Sequence, residues 1–138
     1  MTPLFKKLNW KNQAEIVILN APASFESELT ALTAAENVTD LKILRSVKEA
    51  SGIHFALAFV IAQKELDELS TAIAAKAQGD AIIWFVYPKK SSKRYQCEFH
   101  RDSGWDIIRT LGYDSVRMVA IDDDWSALRF RKIEFIKA

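Results

Sequence analysis

The chain has 138 residues, 49% of them apolar and 27% charged, which suits one globular domain and excludes a disordered or collagen-like chain. Nineteen Lys/Arg against eighteen Asp/Glu leave a net charge of +1, so no overall excess points to nucleic acid or a membrane surface. A single cysteine, Cys97, excludes an intramolecular disulfide and suits a reducing compartment.

The first residues, Met-Thr-Pro-Leu-Phe-Lys-Lys, lack the apolar core of a signal peptide. The longest apolar run, Ile53 to Ala62, includes His54 and is short of the roughly 20 residues needed to span a bilayer. The expectation is a cytoplasmic protein without a membrane partner.

Glu15 to Leu19 is a β-branched run closed by Asn20-Ala21-Pro22, and reads as a buried strand. Ser24 is placed to cap a helix through Leu32, with Glu26 in its first turn. Asp40 to Val47 reads as a second strand. His54 to Ile61 is apolar after His54, as expected for a central strand covered on both faces. His54 at its start reads as a structural histidine. Gln63 to Gln78 carries Leu66, Leu69, Ile73 and Ala77 on one helical face, with Gly79 as a left-handed cap.

Ala81 to Val86 is another buried strand, with Trp84 in the core, and it stops at Tyr87-Pro88. Residues 87–101 read as a loop. Ser103 and Asp106 fit a capping box for a helix to Leu111, closed by Gly112. Val116 to Ile121 and Ala127 to Phe135 are the last strands. The tight Asp122 to Trp125 connection makes them antiparallel. Leu128 and Phe130 sit on one parity, Ile133 and Phe135 on the other, which predicts a bulge near Arg131 or Lys132.

Alternating strands and helices imply one α/β domain over residues 1–138: a Rossmann-like three-layer sandwich. Its sheet is mostly parallel and ends in an antiparallel C-terminal hairpin. That hairpin resembles the methyltransferase variant of the fold, a likeness that does not itself license a function. No Gly-x-Gly-x-x-Gly follows the first strand, and there is no Walker loop, His-Glu-x-x-His or Cys-x-x-Cys. No cofactor, metal or catalytic residue is therefore assigned.

Ligands of open α/β sheets bind beyond the carboxyl ends of the strands. Three groups should converge there: Asn20 to Pro22, the loop from Tyr87, and Asp122 to Trp125. The loop holds Lys89, Lys90, Lys93, Arg94 and Arg101 against one acid, Glu98. With Ser91 and Ser92 it is suited to a phosphate or carboxylate. Trp105 and Trp125 are candidate walls. Asp122 to Asp124 read as a turn pairing with Arg129 or Arg131 rather than a calcium loop, whose ligands alternate. His100 is the one histidine worth testing as an acid or base. Cationic neighbours are expected to lower the Cys97 pKa.

Tyr87 to Lys93, Arg101-Asp102-Ser103-Gly104-Trp105 and Ile121 to Arg131 together resemble a family of small bacterial proteins of unknown function. The resemblance implies a bacterial cytoplasmic protein and no particular activity. The candidate ligand residues are Asn20, Tyr87, Lys89, Ser91, Ser92, Lys93, Arg101, Trp105, Asp122, Trp125 and Arg129. The leading expectation is a non-enzymatic module binding a small anionic ligand or a protein partner at this edge. The alternatives are a reduced methyltransferase-like enzyme and a purely structural or interaction protein. Nucleic acid is not expected, since a lone Tyr95 interrupts the basic loop.

Overall fold

A computed structural model describes residues 2–100 and 102–136. Six strands form one sheet in the order β2-β1-β3-β4-β6-β5. They are β1 (Glu15–Leu19), β2 (Lys42–Leu44), β3 (Ile53–Phe59), β4 (Ala77–Pro88), β5 (Tyr113–Ala120) and β6 (Trp125–Lys132). The first four are parallel, and β6 runs antiparallel between β4 and β5. The three-layer α/β architecture with a terminal antiparallel hairpin is thus the one expected.

The helices are α1 (Pro3–Lys7), α2 (Glu26–Ala34), α3 (Gln63–Lys76), α4 (Asp106–Thr110) and α5 (Ile133–Ile136). Side chains alternate across each strand, so two cores form. Ile16, Ile18, Phe55, Leu57, Trp84 and Val86 meet Phe5, Phe25 and Leu29 of the α1–α2 side. Val17, Ala56, Ala58, Ile83, Phe85 and Phe130 meet Leu66, Ile73 and Ile108 of the α3–α4 side.

Several local expectations are corrected. α1 was not anticipated, although Thr2-Pro3 is a helix-start signal: Thr2 Oγ1 accepts from the Phe5 amide at 3.2 Å. Ser24 does not cap α2. Pro22 leads into a 3₁₀ turn, Ala23–Phe25, which places Phe25 at the helix start. The strand expected over Asp40 to Val47 shrinks to β2, because Asp40 adopts φ 57° and β2 has one neighbour. His54 is exposed, not buried. Gly79, at φ 57°, lies inside β4 rather than after α3, where β4 bulges against β3. Ser103 does not cap α4. It bridges back to His100, and Trp105 holds the N-cap position. The bulge falls on β5, between Ser115 and Arg117, not on β6. The parity change after Lys132 marks a turn of helix, α5.

Trp84 has no exposed surface, and its indole N–H donates to the Leu8 carbonyl at 2.8 Å. That bond ties the N-terminal segment to the sheet. Trp84→Phe leaves the carbonyl unmet, so it is expected to cost about 1–3 kcal/mol, read as a lower urea midpoint.

Candidate functional site at the carboxyl edge of the sheet

Two of the three sequence segments, the loop from Tyr87 and the Asp122 to Trp125 turn, are joined directly at one edge, while Asn20 bonds instead to the Phe59 carbonyl at the end of β3. Pro88 at the end of β4 pairs with Trp125 at the start of β6. The Lys89 amide donates to the Asp124 carbonyl at 2.8 Å, and Ser92 Oγ donates to Asp124 Oδ1 at 2.9 Å. Ser92 Oγ also accepts from the Arg94 and Tyr95 amides, closing a tight turn. Asp122 Oδ1 accepts from the Asp124 and Trp125 amides at 2.8 and 2.9 Å. Asp122 therefore shapes the turn and Asp124 anchors the basic loop. Among the described residues, no group of His, Cys, Asp and Glu is arranged to hold a metal.

The second half of the loop is fastened to α3. The Glu98 amide donates to the Ile61 carbonyl, and its carboxylate accepts from the Gln63 amide at 2.9 Å. Gln63 Nε2 donates to the Gly104 carbonyl at 2.7 Å. Gly104 is at φ 97°, and a Cβ there would lie 2.5 Å from Phe99 Cβ and 2.7 Å from Gln63 Oε1. Only glycine fits that approach.

Between the loop and the strand ends lies a cleft of about 670 Å³ on the α3–α4 side. Tyr87, Phe99 and Met118 give it apolar surface, and the Tyr87 hydroxyl donates to Met118 Sδ at 3.6 Å. Lys89, Lys90, Ser92, His100 and Asp102 supply its polar lining, together with Gln96, Cys97, Glu98 and Ser126. Of the candidate ligand residues, Tyr87, Lys89 and Ser92 reach this cleft. Asn20, Ser91, Lys93, Asp122 and Arg129 are elsewhere, and Arg101 lies outside the described residues.

Neither tryptophan is a wall. Trp105 is 1% exposed, with its N–H donating to the His100 carbonyl, and it packs on Tyr87, Phe99 and Phe130. Trp125 is 3% exposed and packs between Phe59, edge to face, and Tyr95 on the opposite face. Arg129 does not pair with the aspartates of the turn. It lies opposite Trp84, well down β6, and the nearby Asp80 is bound by Arg131. Cys97 is also corrected: burial pushes its thiol pKa up, with Glu98 and Glu65 adding to the rise.

Sequence reasoning missed Met118, Gln96 and Ser126. Met118 reaches the cleft because the β5 bulge resets the strand parity, so that it sits opposite Leu128.

No protein-family model and no curated protein matches the chain. Solved structures do. A SAM-dependent methyltransferase from Aquifex aeolicus superposes with a TM-score of 0.53 at 14% identity, over 94% of this chain and 88% of that one. The fold is methyltransferase-like. The Methanococcus jannaschii fibrillarin pre-rRNA processing protein gives 0.54 at 9% identity, over 88% of this chain and 67% of its own. The pyocyanin biosynthetic protein PhzM gives 0.54 at 8% identity, over 92% of this chain. The chain spans about half the length of PhzM, 52%.

The methyltransferase-like fold implies S-adenosylmethionine, and the crevice between β1 and β3, where the strand order reverses, is the place to test it. The residues there do not fit. Asn20 takes φ 57°, and its amide donates to the Phe59 carbonyl at 3.4 Å, joining the two strand ends. The Phe25 ring packs 5.0 Å from Phe59. No glycine lets a ligand approach the backbone. The first turn of α2 already carries Glu26 and Glu28. Both Glu26 oxygens accept from Arg45 at 2.8 Å, which holds the carboxyl below its usual range. Where a nucleotide site places an acid for the ribose hydroxyls, this chain has Arg45.

Gly104→Ala is expected to destabilise the loop, with faster amide exchange over residues 96–104 and a loss of about 1–3 kcal/mol. Cys97 should alkylate more slowly in the folded than in the urea-unfolded protein at about pH 8.5, the ordinary thiol pKa, with the rate rising only at higher pH.

Proposed function

We propose that this methyltransferase-fold protein binds a small anionic molecule in the cleft between the 88–102 loop and strands β4, β6 and β5. The cleft carries the reading. Its 670 Å³ falls within the roughly 300–1,000 Å³ of small-molecule sites. Apolar side chains sit beside a few convergent polar ones, as such sites require. Lys89 is half-buried beside Ser92, and Lys90 is exposed. Glu98 is engaged by the Gln63 amide, which leaves Asp102 as the other carboxylate of the lining. Two ammonium groups, Lys89 and Lys90, are set against it for an incoming anion.

The solved-structure comparison favours a second reading more than it favours a module without catalysis: a reduced methyltransferase-like enzyme. The neighbours whose descriptions name an activity include methyltransferases. In this reading the same cleft takes the molecule acted upon. The crevice after β1 argues against S-adenosylmethionine in its ordinary place, so no transfer step is derived.

Thermal shift with carboxylates, phosphate esters, nucleotides and S-adenosylmethionine separates the two. A ligand at about 100 times its Kd adds about 2.7 kcal/mol, a shift of several degrees for this size. A response to a small anion that is lost in Lys89→Gln/Lys90→Gln, with none to S-adenosylmethionine, is the expected result. A response to S-adenosylmethionine that survives in that variant transfers support to the enzyme reading. Silence across the panel overturns the ligand site and directs the same edge to a protein partner.

A further inference from the structure

The opposite face of the C-terminal hairpin carries an arrangement that neither the fold nor the cleft explains. Arg117 of β5 and Arg129 of β6 are direct cross-strand partners. Such partners point to the same face with Cβ atoms about 4.5–5.5 Å apart, and like charges placed there destabilise a sheet. That face is the α1–α2 side, because Arg129 lies opposite Trp84.

Among the described residues, no acid pairs directly with either arginine. Asp80 is taken by Arg131, which donates from Nε and Nη2 at distances down to 2.6 Å. Asp114, opposite Arg131, pairs with Arg109 at 3.7 Å. Arg129 Nε is buried and has no acceptor. Burial first, then Arg131 and Arg117, push its pKa down, and the charge of Asp80 opposes them in part. An unmet buried donor is costly, and a like-charged neighbour adds to that cost.

We propose that Arg117 and Arg129 form a site for a phosphate-class oxyanion, on the face of the hairpin away from the cleft. The chemistry selects the class. One guanidinium satisfies both oxygens of a carboxylate, as Arg131 does with Asp80. Two adjacent guanidiniums call for an acceptor with more than two oxygens around one centre. Such a group would accept from the Arg129 Nη atoms, which are not buried as Nε is, and from Arg117, and neutralise the cross-strand repulsion. The site is independent of the cleft, since it shares no side chain with it.

The test uses the full chain at constant ionic strength, with inorganic phosphate and glycerol phosphate as probes. Thermal shift is read together with the Nε–Hε signal of Arg129 by NMR. Phosphate is expected to raise the midpoint and move that signal. Arg117→Gln should weaken binding by about tenfold, the loss of one charge-assisted bond. Arg117→Glu should raise the midpoint without phosphate, because it supplies the missing acid, and remove the phosphate response. Lys89→Gln/Lys90→Gln should leave the response of the Arg129 signal intact. Tighter binding of the ester places the oxyanion on a larger molecule, and tighter binding of the free ion makes phosphate itself the ligand. Either result supports the site. An Arg129 signal unmoved by both probes overturns it, as does an Arg129 response of unchanged affinity in Arg117→Gln or one lost in the lysine variant.

Discussion

The antiparallel pairing of β6 with β4 decides what the carboxyl edge is made of. Six register pairs run from Ile83–Phe130 to Pro88–Trp125. Because β6 begins where β4 ends, the Asp122 to Trp125 turn is set directly against the chain leaving Pro88. The loop from Lys89 must then cross that turn, and Asp124 meets its amide and Ser92. Two segments more than thirty residues apart become one structure through strand register. The parallel strands alone would leave the basic loop without this anchor.

The same edge is closed on one face and open on the other. On the α1–α2 side, Phe5, Phe25, Phe59, Trp125 and Tyr95 touch in series, with successive ring centres 4.8–6.3 Å apart. Aromatic side chains fill the space that a glycine loop would leave for a ligand. On the α3–α4 side, α4 is a single short helix, and Met118 is 43% exposed. The gap left there is the cleft. A methyltransferase-like sheet thus keeps its topology while the accessible volume moves from one side of it to the other. Fold and site are separable for this reason.

Near-neutral overall charge conceals strong local imbalance. Arg45 with Glu26, and Arg131 with Asp80, satisfy each other in bidentate pairs. Among the described residues, Arg117 and Arg129 have no such partner. Charge totals average over such differences. What distinguishes the two unmatched arginines is the register that puts them side by side.

Much of the fold was legible in residue order. Ile16 to Leu19, Phe55 to Phe59 and Ile82 to Val86 are apolar runs that can only be buried, and the stripe on α3 has one helical reading. The short span from Ile121 to Trp125 required an antiparallel hairpin. The candidate site was legible as a location, because strand ends follow from the strands. Its membership was not. Trp105 and Trp125 look alike in sequence, and each could pack or line a ligand site, yet both are core because long-range neighbours close over them. Met118 and Arg117 gained their places from a one-residue bulge on β5. Local pattern determines which residues must be buried and where the chain turns. Which side chains face a shared space depends on register and on contacts distant in sequence, and only the tertiary structure decided that.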